Sequence, residues 1–123
     1  MIKIKSVYAK ALKEDGKRIF VDLFWPEGIK THEAHVDAWL HELAPTYDLQ
    51  RFHFNLSNWE DYKTKYTAEL LSSPHKKNLL EELANNSRNG TLTLLYGNRH
   101  PSQNHAHILK ELIENNYLTG EEK

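Results

Sequence analysis

Arg99, His100, Ser102, Gln103, Asn104 and His105 crowd into one stretch just before an amphipathic run, and they are the residue types that bind anions and move protons. A guanidinium offers a fork of donors to a carboxylate or phosphate, and an imidazole gives or takes a proton near neutral pH. The first N–H groups of a helix have no partners within the helix, so a helix starting near Asn104 would aim them toward the same place as Arg99. A further ionisable group stands far away in sequence. Asp22 interrupts the apolar run at 19–25, where a carboxylate serves either as a ligand or base at a rim or as an acceptor for loop N–H groups.

Strands and helices must bring these groups together. Leu92, Leu94, Leu95 and Tyr96 form a short β-prone run, and Ala106, Leu109, Leu112 and Ile113 recur at helical spacing, so residues 91–113 read as strand, polar elbow and helix. The run R-I-F-V-D-L-F-W from Arg18 to Trp25 suits a strand covered on both faces, stopped by Pro26 and Gly28. Ile2 and Ile4 alternate with Lys3 and Lys5 and lead to Val7 and Tyr8, the period of an edge strand with one wet face.

The remaining signals are helical. Thr31 suits an N-cap ahead of Val36, Trp39, Leu40 and Leu43, a helix that Ala44-Pro45 would close. The S-N-W-E capping box at 57–60 opens a helix carrying Trp59, Tyr62, Tyr66 and Leu70 on one face. Ser73-Pro74 starts another, with Leu79, Leu80, Leu83 and Ala84 inward, and the turn residues at 85–90 end it. Residues 119–123 read as a charged, flexible tail.

Long crossovers between strands predict a single α/β domain over residues 1–123: three strands in a mainly parallel sheet, packed with about four helices. The sheet becomes mixed if the first strand pairs antiparallel with the second across the short loop at 10–17. If the second and last strands are parallel, their carboxyl ends share the rim where open α/β sheets bind ligands. The expected ligand-binding set is then Tyr8, Asp22, Trp25, Tyr96, Arg99, Asn104 and His105, with His105 and Asp22 as the candidate catalytic pair. Each also has a plain structural use: Asn104 caps a helix, Arg99 pairs with a nearby carboxylate, and Trp25 and Trp59 fill core.

Composition narrows the function classes. At 123 residues and 39% hydrophobic content the chain can bury one core. Sixteen Lys and Arg against seventeen Asp and Glu leave a formal charge of −1, so no global charge draws the chain to nucleic acid or anionic lipid. There is no cysteine, which removes thiol nucleophiles, disulfides and thiolate metal sites together. No stretch approaches the roughly 18 apolar residues of a membrane helix and the N-terminus has no apolar signal core, so the expected location is the cytoplasm. His32 and His35 stand three apart, and His105 and His107 two apart near His100, without a closed ligand set. Neither a metal nor another cofactor is expected.

Several of these pieces together resemble a known family. V-D-L-F-W-P-E-G at 21–28, Asp37, Trp39-Leu40, L-A-P at 43–45, the Trp59, Tyr66, Glu69-Leu70 helix, L-L-Y-G-N-R at 94–99 and N-H-A at 104–106 are similar to the YeaO-like branch of DUF488, a family of uncharacterised bacterial proteins. The resemblance implies an α/β domain of this size and no activity. Its pattern usually has Arg at the positions of Leu23 and Glu27, an acidic residue at His100, a second His at Gln103, and a His-Asp-Pro turn around residues 55–58. Arg99, Asn104 and His105 match it.

Two functional readings follow. In the first, the rim belongs to a non-catalytic binding or regulatory module that holds a small anion. In the second, a small enzyme acts on an anionic metabolite, with His105 as acid or base, Asp22 as its orienter, and Arg99 with the helix N-terminus as the anion clamp. No nucleophile elbow or Gly-rich phosphate loop supports the enzyme. Contact between Asp22 and His105 inside a pocket would favour chemistry; separated, solvated side chains would favour binding or structure alone.

Overall fold

Alternation decides which side of the sheet each strand residue faces. The computed structural model describes residues 1–50, 58–97 and 104–118. Strands β1 (Ile2–Ser6), β2 (Lys17–Phe20), β3 (Ala38–Trp39) and β4 (Leu92–Tyr96) form one sheet in the order β1-β4-β2-β3, with every pairing parallel. Ile4 and Ile19 flank Leu94 in register, so Ile2, Ile19, Val21, Leu92, Leu94 and Tyr96 share one face and join the main core. Phe20 and Leu95 point to the opposite face, where a smaller cluster forms with Val7.

Three long helices cover the first face: α3 (Trp59–Leu71), α4 (Pro74–Arg88) and α5 (His105–Ile113). Their starts follow from local chemistry. Ser73 Oγ accepts the Lys76 N–H at 3.3 Å with Pro74 in the first turn, and Asn104 Oδ1 accepts the Ala106 N–H at 3.0 Å. Helix α3 follows Asn58; Ser57, the expected first member of the capping box, lies outside the described residues.

The architecture corrects the expected element count: four strands rather than three, and five α-helices among the described residues rather than about four, two of them single turns. The added strand lies where one helix was expected from Thr31 to Leu43. Helix α1 (Thr31–Ala34) stops after one turn because His35 adopts the left-handed conformation at φ 51°. Asp37 then exchanges bonds with β2: its N–H reaches the Arg18 carbonyl at 2.8 Å, and its Oδ2 accepts the Arg18 N–H at 2.8 Å. Leu40 N–H adds a bond to Phe20 O at 2.9 Å. Val36 packs against the smaller cluster, whereas Leu40 and Leu43 join the main core. The apparent helical spacing was therefore two sheet faces read as one stripe.

Other boundaries shift for similar reasons. β2 ends at Phe20 instead of Trp25; Val21 N–H still reaches Leu95 O at 3.1 Å, and the chain then bends away. Helix α4 continues through Asn85 to Arg88, because its buried stripe of Leu80, Leu83, Ala84 and Ser87 outweighs the weak helix propensity of Asn and Ser. The antiparallel option for β1 is not taken. It is an edge strand, parallel to β4, and the connection to β2 passes over the second face through a single 3-10 turn at Lys13–Asp15. Helix α2 (Tyr47–Gln50) is the other single turn, and α5 runs on into a π turn at Glu114–Leu118. Among the described residues no helix is long and apolar enough to cross a membrane.

Candidate functional site

The bend after β2 turns Asp22 across the end of β4. Asp22 Oδ2 accepts the Gly97 N–H at 2.9 Å, and a Cβ on Gly97 would lie 2.9 Å from that same oxygen. Only glycine lets the carboxylate sit so close. Asp22 Oδ1 lies 3.1 Å from Nε2 of His105, the first residue of α5, and that nitrogen is also 2.9 Å from the Val21 carbonyl. Both neighbours are acceptors, so Nε2 carries the proton.

One N–H cannot point at two acceptors equally well. The geometry gives it to Val21 O, and Oδ1 remains buried beside it without a well-directed hydrogen bond of its own. The 3.1 Å contact is therefore a close charge–dipole approach, to become an ion pair if the ring gains its second proton. Such an underbonded buried carboxylate oxygen costs on the order of 1–3 kcal/mol, which the surrounding fold must offset.

Helix α3 supplies the third wall. The Tyr66 ring meets the His105 ring edge-on at 6.0 Å, and its hydroxyl donates to Leu43 O. Tyr62 lies 6.4 Å from Tyr66 and stacks at 5.9 Å on Trp59. Burial, followed by the charges of Glu69 and Asp22, pushes the Tyr62 phenol up to about 12. Burial likewise holds the Tyr66 phenol well above its ordinary value, with smaller contributions from Tyr62, Glu69 and Asp22. Both hydroxyls are proton donors at neutral pH.

The expected site residues thus divide. Asp22, Asn104 and His105 meet at the seam of β2, β4 and α5, with Gly97 as a member the sequence reading missed. Its signal was its place directly after a buried strand. Tyr96 ends β4 on the helix-covered face and is buried in the main core. Trp25 turns to the second face, packing edge-on against Phe20 at 5.7 Å and Trp39 at 5.4 Å and donating its indole N–H to Ile29 O at 2.8 Å. The Tyr8 side chain bonds elsewhere: its ring is exposed and its hydroxyl donates to Glu27 O at 3.0 Å. Arg99, with His100, Ser102 and Gln103, lies outside the described residues. At the α5 terminus, Ala106 N–H is taken by the Asn104 side chain and His107 N–H by the Asn104 carbonyl at 3.1 Å.

The second face holds a charged hub that the sequence reading also missed. Asp15 is 3% exposed, yet its carboxylate takes Arg18 Nη1 at 2.6 Å, Lys5 Nζ at 3.0 Å and the Leu12 N–H at 3.0 Å. Burial pushes its carboxyl up, but the bonds from Leu12, Lys5 and Arg18 outweigh burial and hold it below the usual value. Arg18 also donates to the Ala34 and His35 carbonyls at 3.1 and 2.9 Å. The i,i+3 spacing of Asp15 and Arg18 across Gly16 was the available signal. Among the described residues no three His, Asp or Glu side chains gather as they would around a metal ion.

Comparison with known proteins gives relatives but no activity. The family model described as "Inactive DUF488-N3 subclade" matches residues 1–123. The uncharacterised protein YeaO of Escherichia coli is 34% identical over 113 residues, covering 91% of this chain and 96% of that protein. The uncharacterised proteins Mb3100c of Mycobacterium bovis and Rv3073c of Mycobacterium tuberculosis are each 27% identical, over 91% of this chain and 92% of theirs. No solved structure matches at a significant level.

Proposed function

Because the chain belongs to the inactive DUF488-N3 subclade, the YeaO-like branch of DUF488, we propose that it is a non-catalytic binding or regulatory module, acting in the cytoplasm on a small anionic ligand. The ligand sits at the carboxyl ends of β2 and β4. The observation that carries this reading is the Asp22 carboxylate, held by Gly97 N–H and set against His105 where two parallel strands and a helix start meet. Open parallel sheets take their ligands at such a rim. Arg99 stands between Gly97 and Asn104 in sequence and supplies the cation.

Asp22 opposes an anion, so the site gains its attraction from Arg99. The test is a calorimetric titration of sulfate and phosphate into the intact protein and into Arg99→Ala. Loss of about 1 to 3 kcal/mol of binding, as for a hydrogen bond to a charged group, with an unchanged melting temperature, is expected. Equal affinity for both proteins sinks the reading.

The 3.1 Å contact favours a second reading, a small enzyme acting on an anionic metabolite with His105 as acid or base and Asp22 as its orienter. In that case Nδ1 must face the substrate, because the Nε2 proton is directed at Val21 O. Turnover that disappears in His105→Gln while ligand binding persists would select this reading.

A further inference from the structure

On the sheet face opposite the long helices, an open cleft of about 440 Å³ lies between the loop that follows β1 and the segment at 28–35. Its lining includes none of Asp22, Gly97, Asn104 and His105. Its lining includes Tyr8, Lys10, Arg18, Ile29, Glu33 and His35. Arg18 is 4% exposed: its guanidinium clamps the carbonyls of Ala34 and His35 and is ion-paired with Asp15, so it forms a held floor and not a free cation. Tyr8 ties one lip to the other through its bond to Glu27 O. His35 is held in the left-handed conformation at φ 51°, which is rare for a residue with a Cβ; Arg18's bonds to the Ala34 and His35 carbonyls hold that segment in place.

Two opposite charges line this cleft without neutralising each other. Among the described residues the Lys10 ammonium has no hydrogen-bond or ion partner, and the His35 imidazole has none. The Glu33 carboxylate spends one oxygen on the Lys30 N–H at 3.0 Å, leaving the other without a partner among the described residues. A plain anion would meet Glu33, and a plain cation would meet Lys10. We propose that the cleft is a binding site for a small zwitterion of amino-acid size. Its carboxylate lies toward Lys10, its ammonium toward Glu33, and its hydrocarbon part against Val7, Ile29 and the Tyr8 ring. A cleft of this volume is within the range that holds small metabolites.

The test titrates the full-length, ¹⁵N-labelled protein with L-leucine and with two probes that share its hydrocarbon: isoamylamine, which lacks the carboxylate, and 4-methylpentanoate, which lacks the amine. Leucine should move the amide signals of Tyr8, Lys10, Ala11, Ile29, Glu33 and His35 in a saturable way. Each single-charge probe should bind about tenfold more weakly, the loss for one charge-assisted contact. Lys10→Gln should reduce leucine affinity to that of the amine, and Glu33→Gln, which keeps an oxygen for the Lys30 N–H, to that of the acid. Equal affinities for the three probes, shifts confined to other parts of the molecule, or no saturable shift with leucine each overturns the proposal. A response limited to Gly97, Asn104 and His105 does the same, because it assigns the ligand to the seam.

Discussion

The two faces of this sheet are covered by different means. On one, helices α3, α4 and α5 lay Tyr66, Leu70, Leu80, Leu83 and Leu109 over Ile19, Leu92 and Leu94, all buried, and apolar burial dominates. On the other, the covering segments at 7–16 and 23–37 hold only short turns, and the apolar cluster is small. There the work of a helix layer passes to Asp15 and Arg18, which tie loop N–H and C=O groups to the strands. Irregular backbone can lie over a sheet when buried side chains satisfy it, at the cost of depending on a few charges.

That contrast can be broken most sharply at its hub. Asp15→Ala leaves the Arg18 guanidinium buried without its counter-charge, and we expect a loss of about 3 to 5 kcal/mol of unfolding free energy by urea denaturation. A loss below that of an ordinary surface substitution would show that the second face does not depend on the hub. Next in size is the pairing across the seam. Asp22→Ala strands the Gly97 N–H and should cost on the order of 1–3 kcal/mol. Asp22→Asn, which keeps an oxygen for Gly97 and can offer a donor near His105, should cost less; the reverse order would mean that charge, not hydrogen bonding, holds the seam.

Acid separates the two faces by sign. The Asp15 carboxyl is held below its ordinary value in the folded chain, so its contribution is fully present above an unfolded carboxylate value of about 3.9 and is lost as the pH falls through the lower folded value. Asp15→Asn should therefore flatten the decline in melting temperature below about pH 4, whereas Leu109→Ala should lower the melting temperature without changing its pH slope. Parallel curves for Asp15→Asn and the unmodified protein would contradict the hub. The smallest expected effect is that of a chelator. EDTA should leave the melting temperature of the purified protein where it is, and a drop of several degrees would reveal a stabilising bound metal.

The sequence by itself determined the elements whose signals are local. Ser73-Pro74 specified the start of α4 and Asn104 that of α5, because a side-chain cap acts within three residues of its own position. The apolar run ending in Tyr96 specified a buried strand, and the lone Asp22 in such a run marked a carboxylate that would need a partner. Tertiary structure alone decided the rest. Residues 36–43 carry apolar spacing that fits a helix or two faces of a sheet, and only the bonds of Asp37 and Leu40 to β2 select the strand. Trp25 and Tyr8 look like rim residues until the bend after Phe20 sends one to the second face and the open end of β1 sends the other to the cleft. The pairing of Asp22 with Gly97 and His105, and of Asp15 with Lys5 and Thr93, spans separations that no local pattern encodes. These contacts exist because β4, late in the chain, inserts between β1 and β2, a choice set by the burial and hydrogen bonding of the whole sheet.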